Sequence, residues 1–256
     1  MGFVMDTLYL LKRHTLATVR IPIWVFMSLV SPLIWLVLYG QLFRRIVELP
    51  GFGSGSYIQF LTPGVVVMLA LFSAAWGGMG TLQDLTDGVM DRMLVTPVSR
   101  AALIASRVLH TALTVAVQAA IILVVGLVMG ARVPGGILGA VSVLGVSALL
   151  AAGISALSNG LALITRREET LIAVVNFFAT PLVFLSSAFI ATALMPGWIR
   201  AIARANPVNW AVQGARNAME AADWGAVASY GLLLTAFTIA CVLFATQAFR
   251  LYRRAM

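Results

Sequence analysis

The chain has 256 residues, of which 61% are hydrophobic and only 10% charged. With a mean hydropathy of +0.99, this excludes an ordinary soluble domain, which carries about 25% charged side chains. The net charge of +8 does not point to nucleic acid, because the basic residues stand at the ends of apolar runs, where they serve topology and anionic lipid. The single cysteine, Cys241, excludes a disulfide framework and a thiolate metal cluster.

Residues 1–20 read as an amphipathic helix lying on the membrane surface. Phe3, Val4, Leu8, Leu11 and Thr15 recur at near-helical spacing, with Lys12, Arg13, His14 and Arg20 towards the headgroups. The first span follows at 21–43. No A-x-A-like site follows it and five further apolar runs do, so it reads as retained, not as a cleaved signal. Pro32 lies inside it and predicts a kink. The second span, 57–83, has Pro63 and Gly64 near its start, marking an early bend, and a small-residue stretch from Ser73 to Gly80 that lets another helix approach.

A polar hinge comes next. The stretch 50–83 carries no Lys, Arg, Asp or Glu, and neither does 108–131. Between them lie Asp84, Asp87, Asp91, Arg92, Arg100 and Arg107. A charged hinge between two membrane-length runs lies on one face of a bilayer, where a soluble partner can push on it. The spacing of its acids predicts a short amphipathic helix, stopped by Thr96-Pro97, with Ser99 capping the next helix. The third span is placed at 105–130, with His110 as a packed or interfacial residue. The fourth is placed at 137–165, where Asn159 must find a partner in a low dielectric.

The fifth span is placed at 171–194, interrupted by Asn176 and Pro181; a kink there suits a gate. Residues 196–222 read as two short helices divided at Asn206-Pro207, dipping into or lying on the outer leaflet, with Trp198, Trp210 and Trp224 at the interface. Arg200, Arg204 and Arg216 fall in this outer segment, where they attract anionic lipid headgroups, their simplest role, or an anionic substrate group. The sixth span is 225–249. With the N-terminus inside, 11 of the 17 Lys and Arg residues fall on the inner side, which places both termini in the cytoplasm.

No nucleotide-binding G-x-x-x-x-G-K-[ST] loop is present, no H-E-x-x-H pair, and only two histidines, His14 and His110. The span centres hold no acid or base, which argues against a proton- or sodium-coupled carrier and for energy supplied by another chain. No catalytic, cofactor or metal site is expected.

Several stretches together resemble the ABC-2-type permease family, in particular its daunorubicin/doxorubicin-resistance exporter branch. They are SPLIWLVLYGQLF (Ser31 to Phe43), FLTPG (Phe60 to Gly64), DGVMDRMLVTPVSR (Asp87 to Arg100), FFATPLVFLSSAFI (Phe177 to Ile190) and NPVNWAVQGAR (Asn206 to Arg216). One departure is GVMDR where a GT-x-E-like stretch is common. The resemblance implies an all-α integral membrane protein of the type V exporter fold, 1–256 forming one transmembrane domain with six spans, an interfacial helix, a coupling segment at 84–100 and external re-entrant helices.

It also implies the site residues. Asp87, Gly88, Met90, Asp91, Arg92, Leu94, Pro97 and Arg100 would dock on an ATPase. Pro32, Asn176, Pro181, Ser186, Asn206, Pro207, Trp210 and Arg216 would serve the pathway or gate. ATP and Mg would sit on two separate ATPase subunits, and a second, identical permease chain would complete the channel. The setting is the bacterial cytoplasmic membrane, and the cargo a drug-like or lipid-like amphiphile moved outward. Export of polysaccharide or lipid-linked glycan is the alternative; a lipid-acting enzyme or a membrane assembly protein lies further off.

Overall fold

The computed structural model describes residues 2–20, 23–45, 56–89 and 99–254. Among these residues the chain is all helical. Ten α-helices follow in order: α1 (Phe3–Arg20), α2 (Ile23–Leu42), α3 (Tyr57–Ala75), α4 (Met79–Thr86), α5 (Arg100–Val128), α6 (Gly136–Thr165), α7 (Glu168–Phe184), α8 (Gly197–Ala205), α9 (Pro207–Glu220) and α10 (Trp224–Arg254). A 3-10 turn at Trp76–Gly78 joins α3 to α4, and another lies at Thr192–Leu194.

Among the described residues, five segments are long and apolar enough to cross a membrane: Val25–Leu42, Tyr57–Thr86, Ala101–Val128, Gly136–Thr165 and Trp224–Leu251. The expected continuous span at 171–194 is not among them. Its helix starts at Glu168 and ends at Phe184 after 17 residues, about 25 Å at 1.5 Å per residue, short of a hydrocarbon core about 30 Å thick. The second segment, by contrast, runs three residues beyond its expected end. Pro63 neither starts nor ends it; the residue lies inside α3.

At the centre stands α6, packed against α3, α5, α9 and α10. Its small residues allow this. A side chain at Gly139 would meet the Ala218 carbonyl of α9 at 2.5 Å, and one at Gly160 would meet the Phe244 ring of α10 at 2.8 Å. Apolar surface is no drive to association in lipid, so such close backbone contact, with polar bonds, must hold the bundle. The bonds are present. Ser158 Oγ donates to the Ala75 carbonyl (2.5 Å) and accepts from the Gly78 N–H (3.0 Å). Thr81 donates to Asn159 Oδ1, and Asn159 Nδ2 donates to the Ser155 carbonyl (2.7 Å). Asn159 thus has the partners that its depth demands, and the α3–α4 junction is fixed to α6.

Helix α3 is the most buried crossing segment. On its outer side lies α2, whose far face exposes Phe26, Leu38 and Leu42. Helix α1 packs along α5. Its polar side, with Asp6, His14 and Thr18, turns inward, and Phe3, Val4, Leu8 and Val19 turn outward. Lys12, Arg13 and Arg20 are exposed as well, so the outer side is mixed, as suits a helix at a membrane interface.

Candidate functional site

Three features stand next to one another along the molecule: a held turn after α7, a cleft, and a charged base at α4 and α5.

The turn explains why α7 stops. Asn206, Asn209, Gln213 and Arg216 recur at three- and four-residue steps and share one face of α9. Asn206 Nδ2 donates to the Leu182 and Leu185 carbonyls (2.7 and 3.1 Å) while its Oδ1 accepts from Val208 N–H (2.9 Å), capping α9. Asn209 Oδ1 accepts from the Ser187 N–H (3.0 Å) and hydroxyl (2.7 Å). Gln213 Nε2 donates to Ser187 Oγ (2.8 Å) and Thr192 Oγ1 (3.0 Å). Arg216 Nη2 donates to the Ser187 carbonyl (2.9 Å) and the Phe60 carbonyl (3.3 Å), with its guanidinium 3.8 Å from the Phe60 ring centre. The backbone at the end of α7 therefore finds its partners on α9, as any break at membrane depth requires.

Other bonds tighten the same region. Ser186 Oγ donates to the Val183 carbonyl (2.6 Å), and Trp210 Nε1 donates to the Arg204 carbonyl (2.7 Å), tying α8 to α9. Pro207 opens α9, where its missing N–H is not needed. A side chain at Gly64 of α3 would lie 2.2 Å from the Ala188 carbonyl, so only glycine permits this contact. Arg200 donates to the Ala193 and Met195 carbonyls (3.3 and 3.1 Å). Arg200 and Arg216 thus both bond backbone carbonyls.

The cleft, of about 420 Å³, opens between α2, α3 and α7. Pro32, Trp35, Met68, Phe72 and Val183 line it, with the hydroxyl residues Ser28, Ser31, Ser73 and Thr180. Phe189 bounds one end, 5.4 Å from Trp35 and 5.8 Å from Phe184 between ring centres. No lining residue is ionisable. Pro32 therefore belongs to the cleft, as does the last turn of α7. Pro181, inside α7, and Asn176 are exposed.

At the charged base, Arg107 of α5 donates to Asp84 and to the Gly80 carbonyl (3.1 Å), and Arg13 of α1 lies 3.7 Å from Asp84. Asp6 of α1 accepts from the Ser99 N–H (3.2 Å), and Ser99 Oγ caps α5 by accepting from Ala102 N–H (3.3 Å). His110 Nε2 sits 2.9 Å from Thr18 Oγ1. Burial, reinforced by Arg107, His110 and Arg13, pushes the His14 pKa down to about 3. No cluster of metal-ligating side chains occurs among the described residues. Of the expected docking residues, Asp87 is exposed just after α4 and Gly88 turns left-handed with φ of +65°. Arg100 opens α5. Met90, Asp91, Arg92, Leu94 and Pro97 lie outside the described residues.

A family model for the ABC-2 type transporter matches residues 5–219. The chain belongs to the ABC-2 type transporter family. Similar proteins carry the same stamp. The daunorubicin resistance ABC transporter permease protein DrrB1 of Streptomyces coeruleorubidus is 29% identical over 98% of this chain and 87% of its own. A putative transport permease, ycf38, of Cyanophora paradoxa is 28% identical over 87% of this chain and 77% of its own. The probable doxorubicin resistance ABC transporter permease protein DrrC of Mycobacterium tuberculosis is 27% identical over 84% and 76%. Proteins of the ABC-2 family are membrane transport subunits, and this chain is one of them.

The sequence reading of this permease missed Gln118, Asn209 and Gln213. The signal was there for α9: four polar residues on one helical face beside an apolar run. Gln118 carried none, being a lone amide in α5 whose partners lie on other helices.

Proposed function

We propose that this chain is the membrane-spanning half of an ATP-driven exporter that moves an amphipathic, drug-like or lipid-like molecule outward. The observation that carries the reading is the cleft: apolar, aromatic at one end, free of ionisable lining, and bounded by a turn that α9 holds shut. In this reading the cleft receives cargo and the turn at 185–192 is the gate that must yield. The relatives named for daunorubicin and doxorubicin resistance support a drug-like cargo. Export of a polysaccharide or lipid-linked glycan is the second reading, since it uses the same family architecture.

The chain acts as one transmembrane domain in a bacterial cytoplasmic membrane, with both termini inside and α7 with its turn serving as a sixth crossing. Two copies pair, and two separate subunits that bind ATP and Mg dock below them. Those subunits press on 84–100, where Asp87, Gly88, Met90, Asp91, Arg92, Leu94, Pro97 and Arg100 form the contact. The Asp84–Arg107 and Asp6–Ser99 bonds make the base of that segment stiff, so a push there displaces α4 and α5 together.

The test is purification with the native ATPase from cells carrying Asp91→Arg with Arg92→Asp. Membrane insertion is expected to match the unaltered chain, while efflux of candidate compounds is lost and cargo-stimulated ATP hydrolysis falls at least ten-fold. Efflux and ATPase recovery equal to the unaltered chain would remove the docking assignment.

A further inference from the structure

Gln118 is buried within the bundle, 2% exposed, and reaches from α5 to two residues that line the cleft. Its Nε2 lies 2.6 Å from Ser28 Oγ, and its Oε1 lies 3.1 Å from Ser73 Oγ. The proton positions follow by elimination. Ser28 Oγ is also 2.7 Å from the Val25 carbonyl. A carbonyl only accepts, so the single Ser28 proton goes there, and the Ser28 oxygen must accept from Gln118. This fixes the amide: Nε2 faces Ser28, and Oε1 is left to accept the proton of Ser73. Both hydroxyls have then given away their protons. Each keeps at least one lone pair, and both stand in the cleft wall.

We infer that Ser28, its proton held by the Val25 carbonyl, and Ser73, its proton held by Gln118, form a hydrogen-bond-acceptor subsite in the cleft that takes the O–H end of an uncharged amphipathic aromatic molecule. The inference rests on the cleft being the cargo site. The occupant must bring the donor, because neither serine has a proton left to offer. Its O–H is a hydroxyl or phenol and not an ammonium. No carboxylate lines the cleft, and an ammonium buried without a counter-charge is costly. The body of the molecule lies against Trp35, Phe72 and Phe189. In this scheme Gln118 is a positioning residue: it touches no cargo, and acts by holding the Ser73 proton away from the cleft, as the Val25 carbonyl holds that of Ser28.

The test uses the full permease with its ATPase in lipid nanodiscs and three probes: 1-pyrenebutanol, its methyl ether and 1-pyrenebutylamine. Binding is read as energy transfer to pyrene from tryptophan, since Trp35 and Trp76 both line the cleft. On the unaltered chain the alcohol is expected to bind about five-fold more tightly than the ether, the worth of one hydrogen bond of ordinary strength. The amine is expected to bind more weakly than the alcohol. Ser28→Ala with Ser73→Ala should bring the alcohol-to-ether ratio to about one while the ether still binds. Gln118→Met should lower the same ratio, whereas a mere staple between helices would leave it unchanged.

An alcohol-to-ether ratio near one on the unaltered chain overturns the inference without any variant. So does a ratio that survives the double alanine change, or an amine that binds more tightly than the alcohol. Trp35→Leu separates this from the broader reading. If it weakens alcohol and ether alike while the serine changes do nothing, the cleft holds cargo and the subsite alone is wrong. If neither probe binds, or neither responds to Trp35→Leu, both are wrong.

Discussion

At the level of single residues, the decisive contacts are those made to backbone that has left a helix. The Leu182, Leu185 and Ser187 carbonyls accept from Asn206 and Arg216, and the Ser187 N–H donates to Asn209. Each such group left without a partner at membrane depth costs about 1–3 kcal/mol. Arg216 also joins the turn to α3, through the Phe60 carbonyl and ring. Arg216→Met keeps the length of the side chain and removes the bonds. The turn is then expected to open more easily by about 2 kcal/mol, so that the amides of 185–192 exchange hydrogen roughly 30-fold faster. Arg204→Met, at an exposed site on α8, is expected to leave that exchange unchanged. Equal exchange in the two variants would remove Arg216 as the latch.

At the level of elements, α1 is joined to α5 by the Asp6–Ser99 bond and the His14–His110 contact, whose ring centres are 5.9 Å apart, and to α4 by the Arg13–Asp84 pair. His14 titrates as a sensor of that docking. Its pKa is lowered to about 3 from 6.5 by burial first, then by Arg107, His110 and Arg13, so it is neutral when docked. A depressed pKa means that docking is fully favoured above pH 6.5 and weakens as the pH falls towards 3. Spin labels at the exposed positions Leu16 and Leu109, in a chain with Cys241→Ala, are expected to report one short distance at pH 7.5 and a broadened, longer distribution at pH 4.5. His14→Gln, which cannot take up the proton, is expected to shrink that change. An identical pH response in the variant would remove His14 as its source.

The same helices show what the sequence could reveal. The Asn206-Pro207 break and the Ser99 cap are local signals, set by residues within three positions of the event. The end of α7 is not local. Hydropathy runs on without a charge past Phe184, and the helix stops because partners about 20–30 positions ahead capture its backbone. Gln118 was illegible for the same reason: its partners Ser28 and Ser73 are 90 and 45 positions away. The residues 90–98, the stretch most readable as a resemblance, lie outside the described residues, so the family pattern alone supports that contact.

For the molecule as a whole, the uneven outer surface is the informative feature. Helix α10 faces outward with apolar residues such as Leu232, Ile239 and Leu243, as a lipid-facing helix should. Helix α7 also shows a large apolar outer surface, Phe177 at 72% and Phe178 at 58% exposed, but Asn176 and Thr180 are exposed beside it. An amide in lipid has no partner and is costly. The proposed second copy resolves this: if the α7 faces of two chains approach each other, Asn176 and Thr180 look onto a shared path and the phenylalanines are covered. A chain with Asn176→Cys and Cys241→Ala is then expected to give a cross-linked pair with a short bifunctional thiol reagent in native membranes. Leu232→Cys on α10, equally accessible but on the lipid side, is expected to give none. The yield at Asn176 is expected to change when ATP is trapped on the proposed partner subunits, because α4 and α7 both pack in one bundle around α6. Cross-linking at Leu232 without cross-linking at Asn176 would place the second copy on the opposite side of the molecule and leave the exposed amide of α7 to be explained by lipid or another protein.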